Sequence, residues 1–168
     1  MGLQKAMWAK RVTHGGEVRV GKRKCERPIA TKQAMHVTMK AEAATGRWSF
    51  LRKENRRIIE ALIVTLGRRW SVKVYEQGFE GNHLHLLVKA ETRQGFSNFF
   101  RALAAQIATR ITGARKGKPL GHRFWTRLFW SRIVTWGRAF RIAKRYVLTN
   151  QLEGLGILPR RTLSLSTS

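Results

Sequence analysis

Gly81-Asn82-His83-Leu84-His85-Leu86-Leu87-Val88 reads as a turn running into a β-strand, and the rest of the fold is built outward from it. Successive side chains on a strand point to opposite faces. His83 and His85 therefore share one face, roughly 7 Å apart by strand rise. Leu84, Leu86 and Val88 take the other face and read as core. Two imidazoles on one sheet face make half of a metal site, because two histidines leave most of a coordination sphere open. The same pair also occurs in proteins where both rings are merely structural.

Upstream of this strand, Glu80-Gly81-Asn82 is a turn signal, so residues 71–79 form a strand hairpinned to residues 83–90. Before that, residues 53–66 carry Ile58, Ile59, Leu62, Ile63 and Leu66 at helical spacing, with Gly67 as the stop. Residues 35–39 alternate Val37 and Met39 against His36 and Thr38, the pattern of a first strand. Downstream, Phe96, Phe99, Phe100, Leu103, Ile107 and Ile111 give a helix over 95–111 that Gly113 ends. Residues 114–122 are a basic Gly/Pro loop. Residues 124–134 are aromatic and β-branched, so a fourth strand is expected there. Residues 135–150 read as a last helix, with Thr135 as N-cap and Trp136, Phe140, Ala143 and Val147 on the buried face. The order β-α-β-β-α-β-α predicts an α+β fold, a ferredoxin-like antiparallel sheet with helices packed on it. Residues 34–152 are the expected domain. Residues 1–33 are an expected flexible basic arm, marked by Gly15-Gly16 and by Arg19, Lys22, Arg23 and Lys24, and residues 153–168 a tail.

Charge narrows the function. The 168 residues hold 34 Lys and Arg against 9 Asp and Glu, a formal net charge of +25, with 43% hydrophobic residues to build a core. So cationic a chain calls for an anionic partner. The basic residues run through every segment and are not gathered on one amphipathic helix, which favours nucleic acid over a membrane surface. Cys25 is the only cysteine, which excludes an intrachain disulfide and a cysteine zinc finger. The longest apolar run, residues 58–66, is interrupted by Glu60 and is too short to span a bilayer, and no secretory or myristoylation signal is visible at Met1-Gly2. These features predict a soluble, cytoplasmic, nucleoid-associated protein.

On the last helix, Tyr146 and Asn150 are one turn apart on one face, with Arg138, Arg141 and Arg145 as a basic stripe beside it. Most helical tyrosines are packed aromatics with a polar tip. A phenol can also attack phosphorus when a cation lowers its pKa or a metal polarises the phosphate. Arg123, Trp125, Arg127, Trp130 and Arg132 interleave cations with flat rings, a pattern suited to single-stranded nucleic acid, although any one large aromatic is more often core. Arg115, Lys116 and Lys118 are placed for phosphate contact, but the loop lacks the P-loop pattern.

The histidine strand 81–88 followed by Tyr146-Val147-Leu148-Thr149-Asn150, supported by His36-Val37-Thr38 and by Phe129-Trp130-Ser131-Arg132-Ile133-Val134, resembles the HUH endonucleases. It is most similar to their single-tyrosine transposases, including the REP-associated tyrosine transposases, over residues 35–152. The resemblance implies an HUH endonuclease-type fold, with His83, His85 and Asn150 as ligands of a divalent metal, Mg²⁺ or Mn²⁺. Gln151 follows where many relatives carry proline and is an alternative ligand. It implies that Tyr146 attacks single-stranded, hairpin-flanked DNA, leaving a 5′-phosphotyrosine and a free 3′-OH, and that the protein works as a homodimer. The competing expectation is a non-catalytic basic DNA- or RNA-binding protein, whose binding would be salt-sensitive with no cleavage.

Overall fold

The computed structural model describes residues 13–16, 26–125 and 127–159. In chain order the elements are strand β1 (Thr13–Gly16), strand β2 (Ala34–Lys40), helix α1 (Lys53–Arg69), strand β3 (Val72–Phe79), strand β4 (His83–Ala90), helix α2 (Arg93–Thr112), strand β5 (Leu128–Val134) and helix α3 (Arg138–Gly154). A single 3₁₀ turn, Gly46–Trp48, precedes α1. The strands form one five-stranded sheet in the order β1-β5-β2-β4-β3, every neighbour antiparallel. Without β1 this is the ferredoxin-like arrangement, in which the two crossover helices lie on one face.

Alternation along the strands sorts the two faces. Met35, Val37 and Met39 of β2 and Leu84, Leu86 and Val88 of β4 are fully buried beneath Ile59, Leu62 and Leu66 of α1 and Phe96, Phe99, Phe100 and Leu103 of α2. On the opposite face a smaller cluster of Ala34, Leu87 and Val134 meets Tyr75 and, from α3, Phe140 and Ala143. Tyr75 reaches that face at a bulge in β3, where the pairing with β4 shifts between Val74 and Glu76. So α1 and α2 seal one side of the sheet, while α3 covers part of the other and leaves room beside β2 and β5.

Several boundaries differ from those read in the sequence. Gly67 does not end α1. It is buried where a Cβ would sit 2.9 Å from the Val72 carbonyl oxygen, so it permits close packing, and the helix runs on to Arg69. Residues 124, 125 and 127 are not strand: Phe124 packs into the core from a loop, and Trp125 donates its indole N–H to the Ala104 carbonyl. Thr135 does not cap α3, which begins at Arg138 after Gly137 at φ 84°. Trp136 precedes the helix, is 45% exposed, and donates its indole N–H to the Lys32 carbonyl. Gly113, at φ 72°, ends α2 as expected.

Much of the expected arm, residues 1–12 and 17–25, lies outside the described residues, as do residues 160–168 of the expected tail. Within the arm, β1 pairs along β5, and Arg27 fastens the two. Its guanidinium donates to the carbonyls of His14 and Phe129 and to the Ser131 hydroxyl, and it lies 3.9 Å over the Phe129 ring. No helix among the described residues is long and apolar enough to cross a membrane.

Candidate functional site

On β4 the histidine side chains alternate with fully buried Leu84 and Leu86, so both rings emerge on the face that α3 crosses. Their planes lie 14° apart with centroids 6.2 Å apart. The neighbouring strand places Thr38 opposite His85 and Lys40 opposite His83, and β5 in turn places Trp130 opposite Thr38 and Arg132 opposite His36. His36, Thr38, Trp130 and Arg132 thereby join the histidine pair on one surface.

His85 is the hub. Its Nδ1 lies 3.1 Å from the Thr38 hydroxyl and 3.4 Å from His36 Nε2, and its Nε2 lies 3.2 Å from Glu80 Oε1. A hydroxyl can donate or accept. Thr38 therefore serves His85 with the proton on Nε2, directed at Glu80, and equally with the proton on Nδ1, which frees Nε2 as a ligand. Glu80 is brought back over the strand by the tight turn in which its N–H donates to the His83 carbonyl. His36 is buried, and burial, reinforced by His85 and Arg132, pushes its pKa from 6.5 down to about 4. Burial also holds His83 below the ordinary range, with Lys40 and His85 acting the same way and Glu80 opposing them. Both rings are neutral near pH 7, the form that ligates metals.

α3 delivers Tyr146 to this surface. The phenol ring is 51% exposed and stands edge-on to His36 at 5.5 Å and to His85 at 5.8 Å between centroids. Its position depends on Gly78, the β3 residue opposite His85. A Cβ at Gly78 would lie 2.6 Å from the Val147 carbonyl oxygen, so the missing side chain is what lets α3 descend beside the histidines. Gly154 repeats the device at the helix end, where a Cβ would lie 2.2 Å from the Phe79 carbonyl oxygen. A groove of about 850 Å³ results, lined by the three histidines, Thr38, Glu80 and Tyr146 and extending along β5 and α3.

The sequence-derived candidates divide. His83, His85, Tyr146 and Arg132 line the groove together. Asn150 and Gln151 are not among its lining residues. Asn150 is buried, and its Nδ2 has no hydrogen-bond partner among the described residues. The Gln151 side-chain oxygen accepts the Phe79 N–H at 2.7 Å, tying α3 to the end of β3. Arg138, Arg141 and Arg145 are exposed on α3, Arg115, Lys116 and Lys118 are exposed in a turn closed by a bridge between Arg115 and Lys118, Arg123 is exposed, and Arg127 pairs with Glu42 at 3.5 Å. The sequence reading did not assign His36, Thr38 or Glu80 to the site. The alternation in β2 showed that His36 and Thr38 share a face, but not which strand that face adjoins.

The donors suit a divalent cation in kind: two imidazoles, a carboxylate beside them, and a buried amide one turn past Tyr146 whose Nδ2 has no partner among the described residues. Among the described residues no group of three or more His, Cys, Asp or Glu stands together as a cation site.

Fold and site together define an antiparallel α+β domain in which a histidine pair on the sheet meets a helical tyrosine. The profile described as "Transposase IS200 like" matches residues 31–150, and the chain belongs to that family. The structure is similar to that of a REP-associated tyrosine transposase bound to a REP hairpin, with a TM-score of 0.58 at 16% identity, covering 82% of this chain and 81% of the other. A candidate transposase from Deinococcus radiodurans R1 matches at 16% identity with a TM-score of 0.47, covering 77% of this chain and 98% of the other. Comparison with curated protein sequences found no match.

Proposed function

We propose that this chain cuts and rejoins single-stranded DNA through Tyr146. The observation that carries the reading is that Tyr146, some sixty positions beyond the histidine pair, stands edge-on to His85 in one groove. The Tyr146 oxygen attacks the scissile phosphorus and forms a 5′-phosphotyrosine bond as the P–O3′ bond breaks. The phenol proton passes to solvent, and the departing 3′ oxygen takes one up. The reaction is reversed when the 3′-OH of another strand attacks the phosphotyrosine, and no nucleotide cofactor is consumed.

His83 and His85 would hold a divalent ion, Mg²⁺ or Mn²⁺, with Asn150 brought in as the third protein ligand when the site is loaded. Such an ion would supply charge neutralisation at the scissile phosphate. Arg132 adds a fixed positive charge to the same groove, and His36 and Thr38 hold the His85 ring. The REP hairpin carried by the structural neighbour supports stem-loop DNA as the substrate form, and the charge of +25 supports a polyanionic partner. The reading includes a homodimer acting on DNA in the cytoplasm, at the nucleoid.

The test is incubation of the protein with stem-loop DNA bearing single-stranded flanks and Mg²⁺ or Mn²⁺, followed by denaturing electrophoresis. Wild type yields a protein–DNA adduct that resists SDS. Tyr146→Phe yields none, and EDTA suppresses it. Salt-sensitive binding with no adduct under any of these metals would instead identify a non-catalytic DNA-binding protein.

A further inference from the structure

The proposed reaction uses one end of the groove only. Beyond Tyr146 the groove continues between α3 and β5, walled by Ile142, Ala139 and Ala143 on the helix and by Trp130 and Val134 on the strand. Ile142 lies one turn before Tyr146 on α3 and is 59% exposed. A large aliphatic side chain left in water, next to two alanines that keep the helix wall low, marks a surface that something apolar covers. Arg132 is the one Lys or Arg among the described residues lining the groove, and the register of β5 sets it between Trp130 and Val134, so a cation stands within this apolar wall. The groove falls in the size range of small-ligand pockets, roughly 300–1,000 Å³, and a phosphate with its ion would leave the apolar half empty.

We propose that this half is a base pocket, which receives one unpaired nucleobase flanking the phosphate that Tyr146 attacks. The proposal rests on the nuclease reading for what lies at Tyr146, and it adds where the neighbouring nucleotide goes. A nucleobase has flat apolar faces and is tied to an anionic backbone, so one nucleotide satisfies Ile142 and Trp130 with its base and Arg132 with its phosphate. Ile142 is about 6 Å along the helix axis from Tyr146, within reach of the nucleotide next to the attacked bond. Other apolar occupants fit less well. Arg138, Arg141 and Arg145 on the same helix favour a polyanion over an apolar peptide. An unpaired base also enters without the cost of breaking a pair, which selects single-stranded over duplex DNA at this position.

The experiment uses full-length Tyr146→Phe, which binds DNA without turnover, and a set of stem-loop oligonucleotides with 2-aminopurine walked one position at a time through the single-stranded flank. Insertion into the pocket quenches 2-aminopurine fluorescence at one position, and an abasic site there weakens binding about tenfold, the loss expected for one stacked base. Ile142→Asp removes the quenching, and so does Trp130→Ala, whereas Trp130→Phe keeps most of it. Because Ile142 is exposed, its substitution reports on the pocket even if Trp130→Ala disturbs folding. Absence of a quenched position, or quenching indifferent to Ile142→Asp, overturns the proposal. Quenching that persists in a wild-type protein which forms no adduct upholds the pocket while the nuclease reading fails. An adduct without quenching does the reverse.

Discussion

Tyr146 is set apart from an ordinary surface tyrosine by the two imidazoles it faces, and His36 is the less obvious of them. Buried beside His85 and Arg132, it refuses a proton until about pH 4, against 6.5 when free. Between those values the unfolded chain takes up a proton that the folded chain does not. Stability from this residue is therefore complete above pH 6.5 and is lost as pH falls toward 4, by about 3 kcal/mol in all. His83, also held low by burial, acts in the same direction. Urea midpoints measured near pH 7 and near pH 5 should fall on acidification in the wild type, and distinctly less in His36→Gln. Equal slopes in the two proteins would show that His36 does not carry the effect. His85→Ala removes a ring that touches Thr38, His36, Glu80 and Tyr146 at once. The expected result is loss of the Tyr146 adduct and weaker Mn²⁺ binding by calorimetry, with DNA affinity nearly unchanged.

At the scale of elements, the site depends on how closely α3 approaches β3. Gly78→Ala places a Cβ against the Val147 carbonyl, a backbone atom that cannot swing aside. The helix must lift, at a cost of about 1–3 kcal/mol. Amide exchange should speed up along α3 while α1 and α2 are unaffected, and the adduct yield should drop with Tyr146 itself intact. The β1 edge has its own fastener. Arg27 is buried enough that its pKa falls to about 10, and it is held by two carbonyls and a hydroxyl. Arg27→Ala should cost about 1.5–3 kcal/mol, as for hydrogen bonds to a charged group, and should release amide protection in β1 ahead of the rest of the sheet. The sequence reading placed most elements correctly because their periodicities are local: the stripe from Ile58 to Leu66, the phenylalanines of α2, the alternation around His83. It failed where a tertiary contact overrides the local signal. Gly67 reads as a stop but is a packing glycine, and Thr135 reads as a cap while the chain turns instead at Gly137.

For the whole molecule, the charge of +25 governs encounter with the partner. Affinity for single-stranded DNA should fall steeply with salt, with a slope of about −0.7 per phosphate contact on logarithmic axes. Arg132→Ala should flatten that slope by about one contact, and a fluorescence-anisotropy titration between low and moderate salt would read it. A salt-independent affinity would contradict a phosphate-dominated interface. By itself the sequence determined the net charge of +25, the α+β order of elements, the common face of His83 and His85, and the isolation of a tyrosine on the last helix. These follow from composition and from side-chain periods that operate over a few residues. Only the tertiary structure decided that β2 lies between β4 and β5, bringing His36 and Thr38 beside His85, and that α3 settles over Gly78 with Tyr146 against those rings. It also left Asn150 outside the groove lining and engaged Gln151 with Phe79. Such neighbours are set by strand order and by the closeness of packing, which join residues scores of positions apart and leave no periodic trace in the chain.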